Sequence, residues 1–126
     1  MILGVMVGGA LGALARYLTT LFMQQALQPS ALASLPVATF CVNLIGSFLL
    51  SFLLYSNYFE ISPVLRTAIG TGFIGSLTTF STFELESQQL FVKGQWLMAL
   101  SYLLSSVALG FLAILLGKVL ANQLNA

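Results

Sequence analysis

Apolar residues dominate four stretches of this chain, separated by short polar connections, at positions of about 2–26, 35–56, 64–92 and 96–120. A helix needs about 20 such residues to cross the hydrocarbon core of a bilayer. The first stretch carries one charge, Arg16, and the second carries none. Pro36 suits the first turn of the second helix, and Trp96 stands where an interfacial anchor belongs at the start of the fourth. The third stretch is different. Gly70, Gly72 and Gly75 lead into Ser76, Thr78, Thr79, Ser81 and Thr82. Each glycine costs about 1 kcal/mol relative to alanine inside a helix. Irregular backbone at membrane depth persists only where it is buried in protein or lines a cavity. The pattern predicts an all-α membrane protein, a single transmembrane domain over 1–126 with four transmembrane helices per subunit, the third broken near its middle. A break there frees carbonyls near the bilayer midplane, which can coordinate a cation as in broken-helix transporters.

Composition agrees with a lipid environment. Of 126 residues, 59% are hydrophobic and 6% are charged, against roughly 25% charged in soluble domains. The chain has no His and no Asp. A Ser-His-Asp triad, the usual zinc sites and paired aspartates are therefore all excluded, and no enzyme is expected. A net charge of +1 gives no footprint for nucleic acid. Cys41, the single cysteine, reads as a small packing residue. The first stretch lacks the basic n-region of a signal peptide and reads as a span.

Charge also bears on orientation. Four spans place Arg66 and Lys118 on one side, with Lys93 and the Arg16 end of the first span on the other. Positively charged loops orient a membrane protein, and here the count is tied. A tie predicts insertion in both orientations, so that two opposed copies can pair about an axis in the membrane plane.

Several polar positions invite functional readings. Gly4, Gly8 and Gly12 recur at the small-residue spacing that lets helices approach closely in lipid. Arg16, one turn on, either snorkels to headgroups or draws anions to a pore mouth. Thr39, Asn43, Ser47 and Ser51 form a stripe at four-residue spacing, and such a stripe should avoid lipid. The Asn43 amide has two N–H donors for a passing anion. Tyr102, Ser105 and Ser106 share a face of the fourth helix. Phe80 and Phe83, three apart, would point the same way, and ring edges carry partial positive charge. No acid lies in the core of any span, so the polar interior is built of donors and hydroxyls, which suit an anion or a neutral solute.

Three blocks carry a family resemblance: Gly8-Gly9-Ala10-Leu11-Gly12-Ala13-Leu14-Ala15-Arg16-Tyr17, Val42-Asn43-Leu44-Ile45-Gly46-Ser47-Phe48-Leu49, and Gly72-Phe73-Ile74-Gly75-Ser76-Leu77-Thr78-Thr79-Phe80-Ser81-Thr82-Phe83. Together they resemble the Fluc (CrcB) fluoride channels, over essentially the whole chain. The resemblance implies an antiparallel, dual-topology homodimer with two pores that passes fluoride passively out across the bacterial inner membrane. It implies that Phe80 and Phe83 are ring-edge anion contacts and Asn43 a pore-lining donor. Thr39, Ser81, Thr82, Tyr102 and Ser106 would belong to the polar side of the fluoride pathway, with Glu86 near a pore opening and Arg16 as the basic residue of the first block. Backbone carbonyls of Gly75 and Thr78 from both copies would hold a structural Na+ at the dimer interface. Ser76 departs from the family's pattern of two glycines at the break, adding a side chain where the backbone bends. Gly110 stands where a further hydroxyl would have extended the stripe of the fourth helix.

Two other functions compete. A small dual-topology drug/proton antiporter also has four helices and pairs, but it depends on a carboxylate in its first helix, and this first helix has none. A non-transporting membrane assembly module would account for Gly4, Gly8 and Gly12, and would leave Asn43 and the third stretch without a purpose.

Overall fold

The computed structural model describes residues 1–30, 35–58 and 60–126, and all regular structure among them is helical. Positions 31–34 of the first connection and position 59 of the second lie outside the described residues. Six α-helices follow in order: α1 (Ile2–Ala26), α2 (Val37–Tyr55), α3 (Pro63–Thr67), α4 (Gly75–Leu77), α5 (Phe80–Val92) and α6 (Trp96–Leu124). A π-helical stretch, Ala68–Ile74, joins α3 to α4.

Each short element has a local cause. Ser62 caps α3 by accepting a hydrogen bond from the N–H of Leu65 at 3.3 Å, with Pro63 in the first turn. The chain leaves α2 in extended conformation at Ser56. The Arg66 guanidinium donates to the carbonyls of Leu53 and Ser56, answering the orphan acceptors at the C-terminal end of α2 with positive charge.

The glycines of the third stretch remain helical. Gly75 donates its N–H to the carbonyl of Gly70, five residues back, so the backbone is underwound, with one extra residue in the turn where Gly70 and Gly72 sit. Gly72 provides proximity to α1, whereas Gly70 faces Leu50 and Leu53 of α2. A methyl on Gly72 would come within 2.8 Å of the Val5 carbonyl oxygen and 3.2 Å of the Gly8 Cα. Gly8 and Gly12 reciprocate, lying directly on the backbone of Ala68 and Phe73. The break itself comes later than the glycines, at Thr78 (φ −81°, ψ 155°) and Thr79 (φ −151°, ψ 118°), both extended. Thr79 then caps α5, its hydroxyl accepting from the N–H of Thr82 at 3.3 Å.

α2 and α6 form the other close pair. Gly117 faces the backbone of Phe48 and Phe52, where a methyl would be 3.0 Å from the Phe52 nitrogen. The Ser51 hydroxyl donates to the Ile114 carbonyl at 2.7 Å. At the far end Asn125 donates to the Tyr55 carbonyl and accepts from the Asn57 N–H, each at 2.8 Å, while Lys118 sits 4.8 Å from the Tyr55 ring. Near the start of α6, Tyr102 meets Phe40 at 6.4 Å. The two helices therefore run parallel, start beside start and end beside end, and the segment from α3 to α5 must return along the length of the molecule between them.

The exterior is apolar almost throughout. Leu3, Met6, Phe22, Leu104, Val107 and Leu116 all lie exposed, a surface that only lipid or another apolar partner satisfies. Three helices, Ile2–Ala26, Val37–Tyr55 and Trp96–Leu124, are long and apolar enough to span a membrane, with mean hydropathies of 1.5, 2.1 and 2.2. The hydroxyls of Thr19 and Thr20 donate back to the carbonyls of Ala15 and Arg16, which hides their polarity on a lipid-facing helix. This is a multi-pass membrane protein.

Candidate functional site

The break in the third stretch is held from two sides. An extended residue inside a membrane has an N–H and a carbonyl that no helix satisfies. Asn43, from α2, takes both at Thr79: its Oδ1 accepts the Thr79 N–H at 2.8 Å, and its Nδ2 donates to the Thr79 carbonyl at 3.2 Å. From α1, Arg16 donates its Nε–H to the carbonyl of Ser76 at 3.2 Å, at the carbonyl end of the helical run before the break. Arg16 is half-buried, and its Nε–H answers backbone at the break.

Beside the break lies an open cavity of about 240 Å³ bordered by Asn43, Ser47, Gly75, Thr78, Thr79 and Phe80. Gly75 is exposed and Thr78 half-buried. The Thr78 hydroxyl returns to the Ile74 carbonyl at 3.1 Å. On the α5 side, the Thr79 hydroxyl donates to that of Thr82 at 2.9 Å and lies 3.5 Å from that of Ser81. The expected pathway residues Ser81 and Thr82 therefore form one hydroxyl cluster with Thr79.

Phe80 and Phe83 are neighbours, with ring centroids 5.9 Å apart and planes inclined at 49°, yet their surroundings differ. Phe80 is 73% exposed on the protomer surface, whereas Phe83 is 6% exposed. The Phe83 ring meets Tyr102 edge-on at 5.2 Å, within a core completed by Leu90 and Ala99 and flanked by Phe40 and Met98. One ring is thus part of the protomer's core and the other waits on its surface.

A third cluster surrounds Glu86. Its two carboxylate oxygens each accept one hydroxyl, Thr39 at 2.8 Å and the Tyr102 phenol at 2.9 Å. The three residues come from α2, α5 and α6. Glu86 also borders a polar cavity of about 370 Å³, lined by Thr20, Gln24, Gln89 and Lys93, which opens beside the C-terminal ends of α1 and α5. Ser106 follows one turn after Tyr102, and its buried hydroxyl has no hydrogen-bond partner among the described residues. Ser105 bonds back to the Tyr102 carbonyl at 3.3 Å. Replacing Tyr102 by Phe is expected to lower stability by about 2 kcal/mol, because a half-buried carboxylate loses a charge-assisted hydrogen bond. Thermal unfolding in detergent measures it, and an unchanged midpoint would show the phenol to be dispensable.

The fold brings the expected residues into three adjoining groups: Arg16, Asn43, Gly75, Thr78, Ser81 and Thr82 at the break; Phe80, Phe83 and Tyr102; and Thr39, Glu86 and Tyr102. Ser106 joins no hydrogen-bonded group. Missing from that expected set were Thr79 and Ser76, whose backbones receive Asn43 and Arg16, and Phe40, which packs on Tyr102. Thr79 could have been found from its place three residues before Thr82, the spacing of a helix cap.

A model for the family described as CrcB-like protein, Camphor Resistance (CrcB), matches residues 3–118. The chain is 42% identical over 123 residues to fluoride-specific ion channel FluC 2 of Staphylococcus saprophyticus, covering 96% of each. It is 44% identical over 126 residues to fluoride-specific ion channel FluC of Acidobacterium capsulatum, covering 98% of each. A relative of the same name from Ignicoccus hospitalis is 41% identical over 123 residues, covering 95% of this chain and 94% of that one.

Proposed function

This chain belongs to the CrcB-like family, and from that premise we propose that it is a passive, fluoride-selective ion channel. Curated relatives that match nearly end to end bear the name fluoride-specific ion channel. The observation that carries the reading is the row of weak donors beside a backbone break. Fluoride is small and strongly hydrated, so a pore must replace its water while binding loosely enough to let go. An amide, a cluster of hydroxyls and two ring edges supply that without a single strong charge. Glu86 is engaged by two hydroxyl donors, which masks it from a passing anion.

The channel works as an antiparallel, dual-topology homodimer with two pores, and the broken third segment completes a fourth crossing in each subunit. Supporting this, the charge tally is tied, and Phe80, Gly75 and the cavity beside the break all open onto the outside of the protomer. A second copy on that face would close the route, with Phe80 and Phe83 from the two subunits as anion contacts. Fluoride would reach them through the polar cavity beside Glu86 and leave the cell down its gradient across the inner membrane. The carbonyls of Gly75 and Thr78 suit a hard monovalent cation such as Na+, since they are uncharged oxygen donors with no side chain of Gly75 in the way. Bound there, the ion would supply charge that steadies two opposed breaks.

Efflux from liposomes loaded with fluoride or chloride tests the function. Fluoride is expected to leave at least about a hundredfold faster, a barrier difference of about 2.7 kcal/mol. Equal rates would sink the selectivity. Proton-coupled loss of a lipophilic cation would favour an antiporter, and no flux at all a structural module.

A further inference from the structure

The Asn43 amide has N–H groups that can donate to a passing anion. Its hydrogen bonds say something more. In an uninterrupted helix the N–H of Thr79 would close a turn on the carbonyl of Gly75, four residues back. Here that N–H goes to Asn43 Oδ1 at 2.8 Å, and the Asn43 amide returns a bond to the Thr79 carbonyl at 3.2 Å. The reciprocal pair pins Thr79 in its extended conformation. It also leaves the Gly75 carbonyl without its helical partner, on an exposed residue beside a cavity. The neighbouring Ser76 carbonyl is already answered by Arg16. The break thus sorts its acceptors: Ser76 to a guanidinium, Thr79 to an amide, and Gly75 to neither.

We infer that Asn43 is a positioning residue for a cation site at the break: by diverting the Thr79 N–H it keeps the Gly75 carbonyl free for a monovalent cation. This rests on the cation reading given above. It joins the two ions of the protein in one side chain, since the second N–H of the same amide remains available on the cavity side for an anion. The negative end of the helical run from Pro63 to Leu77 adds to the pull on a cation at that point. Thr39, one turn earlier on α2, is the natural control, because its hydroxyl goes to Glu86 and touches nothing at the break.

The test is the thermal unfolding midpoint of the purified full-length protein in sodium chloride and in choline chloride at equal ionic strength. Sodium about tenfold above its dissociation constant is expected to raise the midpoint of the unaltered protein by about 5 °C. Asn43→Ala is expected to lose that sodium-specific rise, and Thr39→Val to keep it. Asn43→Gln, which retains an amide but displaces it by one methylene from Thr79, is expected to lose the rise as well, and serves if Asn43→Ala fails to fold. A retained rise in either Asn43 variant, or its loss in Thr39→Val, overturns the inference. No sodium-specific rise in the unaltered protein removes the cation site and the inference with it. The fluoride-over-chloride ratio in liposomes then decides separately whether the channel reading stands.

Discussion

Phe80→Ile is expected to cut fluoride efflux by at least about tenfold, which is about 1.4 kcal/mol on the barrier, while leaving the protomer folded. The ring is 73% exposed, so its loss removes little packing within one subunit. What it removes is a positively polarised edge, which an aliphatic side chain of similar bulk does not offer. Phe83→Ile should reduce flux too, but with a second effect: that ring is buried against Tyr102 at 5.2 Å. Losing the edge-on pair costs about 1 kcal/mol beyond the change in buried area. Efflux and thermal unfolding measured on both variants separate the two contributions. Unchanged flux in Phe80→Ile would remove the ring edges from the mechanism.

Gly12→Ala is expected to be the most damaging small substitution in the chain, costing about 3 kcal/mol or more. A methyl there collides with the Phe73 carbonyl oxygen, lies 2.9 Å from the carbonyl carbon, and is 3.1 Å from the Leu77 nitrogen. All three are backbone atoms, so relief requires α1 to move away from the π-helical stretch. That movement would carry Arg16, one turn along α1, off the Ser76 carbonyl. Against a total stability of typically 5–15 kcal/mol, the variant should show a sharply lower unfolding midpoint and poor yield. Gly110→Ala is the control: the nearest atom to its new methyl is the Ser47 hydroxyl at 3.9 Å. It should be neutral or gain slightly from helix propensity. Equal behaviour of the two variants would contradict the packing described for α1.

The contrast between these glycines shows what was legible in the chain and what was not. Gly4, Gly8 and Gly12 announced a close helix contact through their spacing alone. Which element they touch was invisible, as was the underwound backbone opposite them. The glycines at 70, 72 and 75 suggested where the third stretch would come apart. Gly72 serves the contact with α1, Gly70 faces Leu50 and Leu53 of α2, and the unwinding falls on Thr78 and Thr79. Glycine is tolerated both where a helix ends and where two helices touch, and composition does not distinguish the two uses.

The stripe on α2 makes a similar point. Thr39, Asn43, Ser47 and Ser51 recur every four residues, but a turn takes 3.6, so each step drifts by about 40°. By Ser51 the direction has turned about 120° from Thr39. Thr39 and Asn43 accordingly reach α5 and the break, whereas Ser51 bonds to α6. A stripe in the sequence became two contacts in the fold.

Chain order and residue type alone determined that this protein is helical, lives in lipid, and keeps its few polar groups out of the lipid's way. Those properties depend on the length and polarity of local runs, which the transfer free energy of each side chain decides. The tertiary structure determined the partners. Arg16 meets Ser76, Asn43 meets Thr79 and Thr39 meets Glu86 across 60, 36 and 47 residues, and each bond depends on how far one helix is rotated and slid against another. A hydrogen bond fails with an error of about 1 Å or a few tens of degrees. Rotations and shifts that fine are fixed by the close packing of glycine against backbone in three dimensions, and no local periodicity records them.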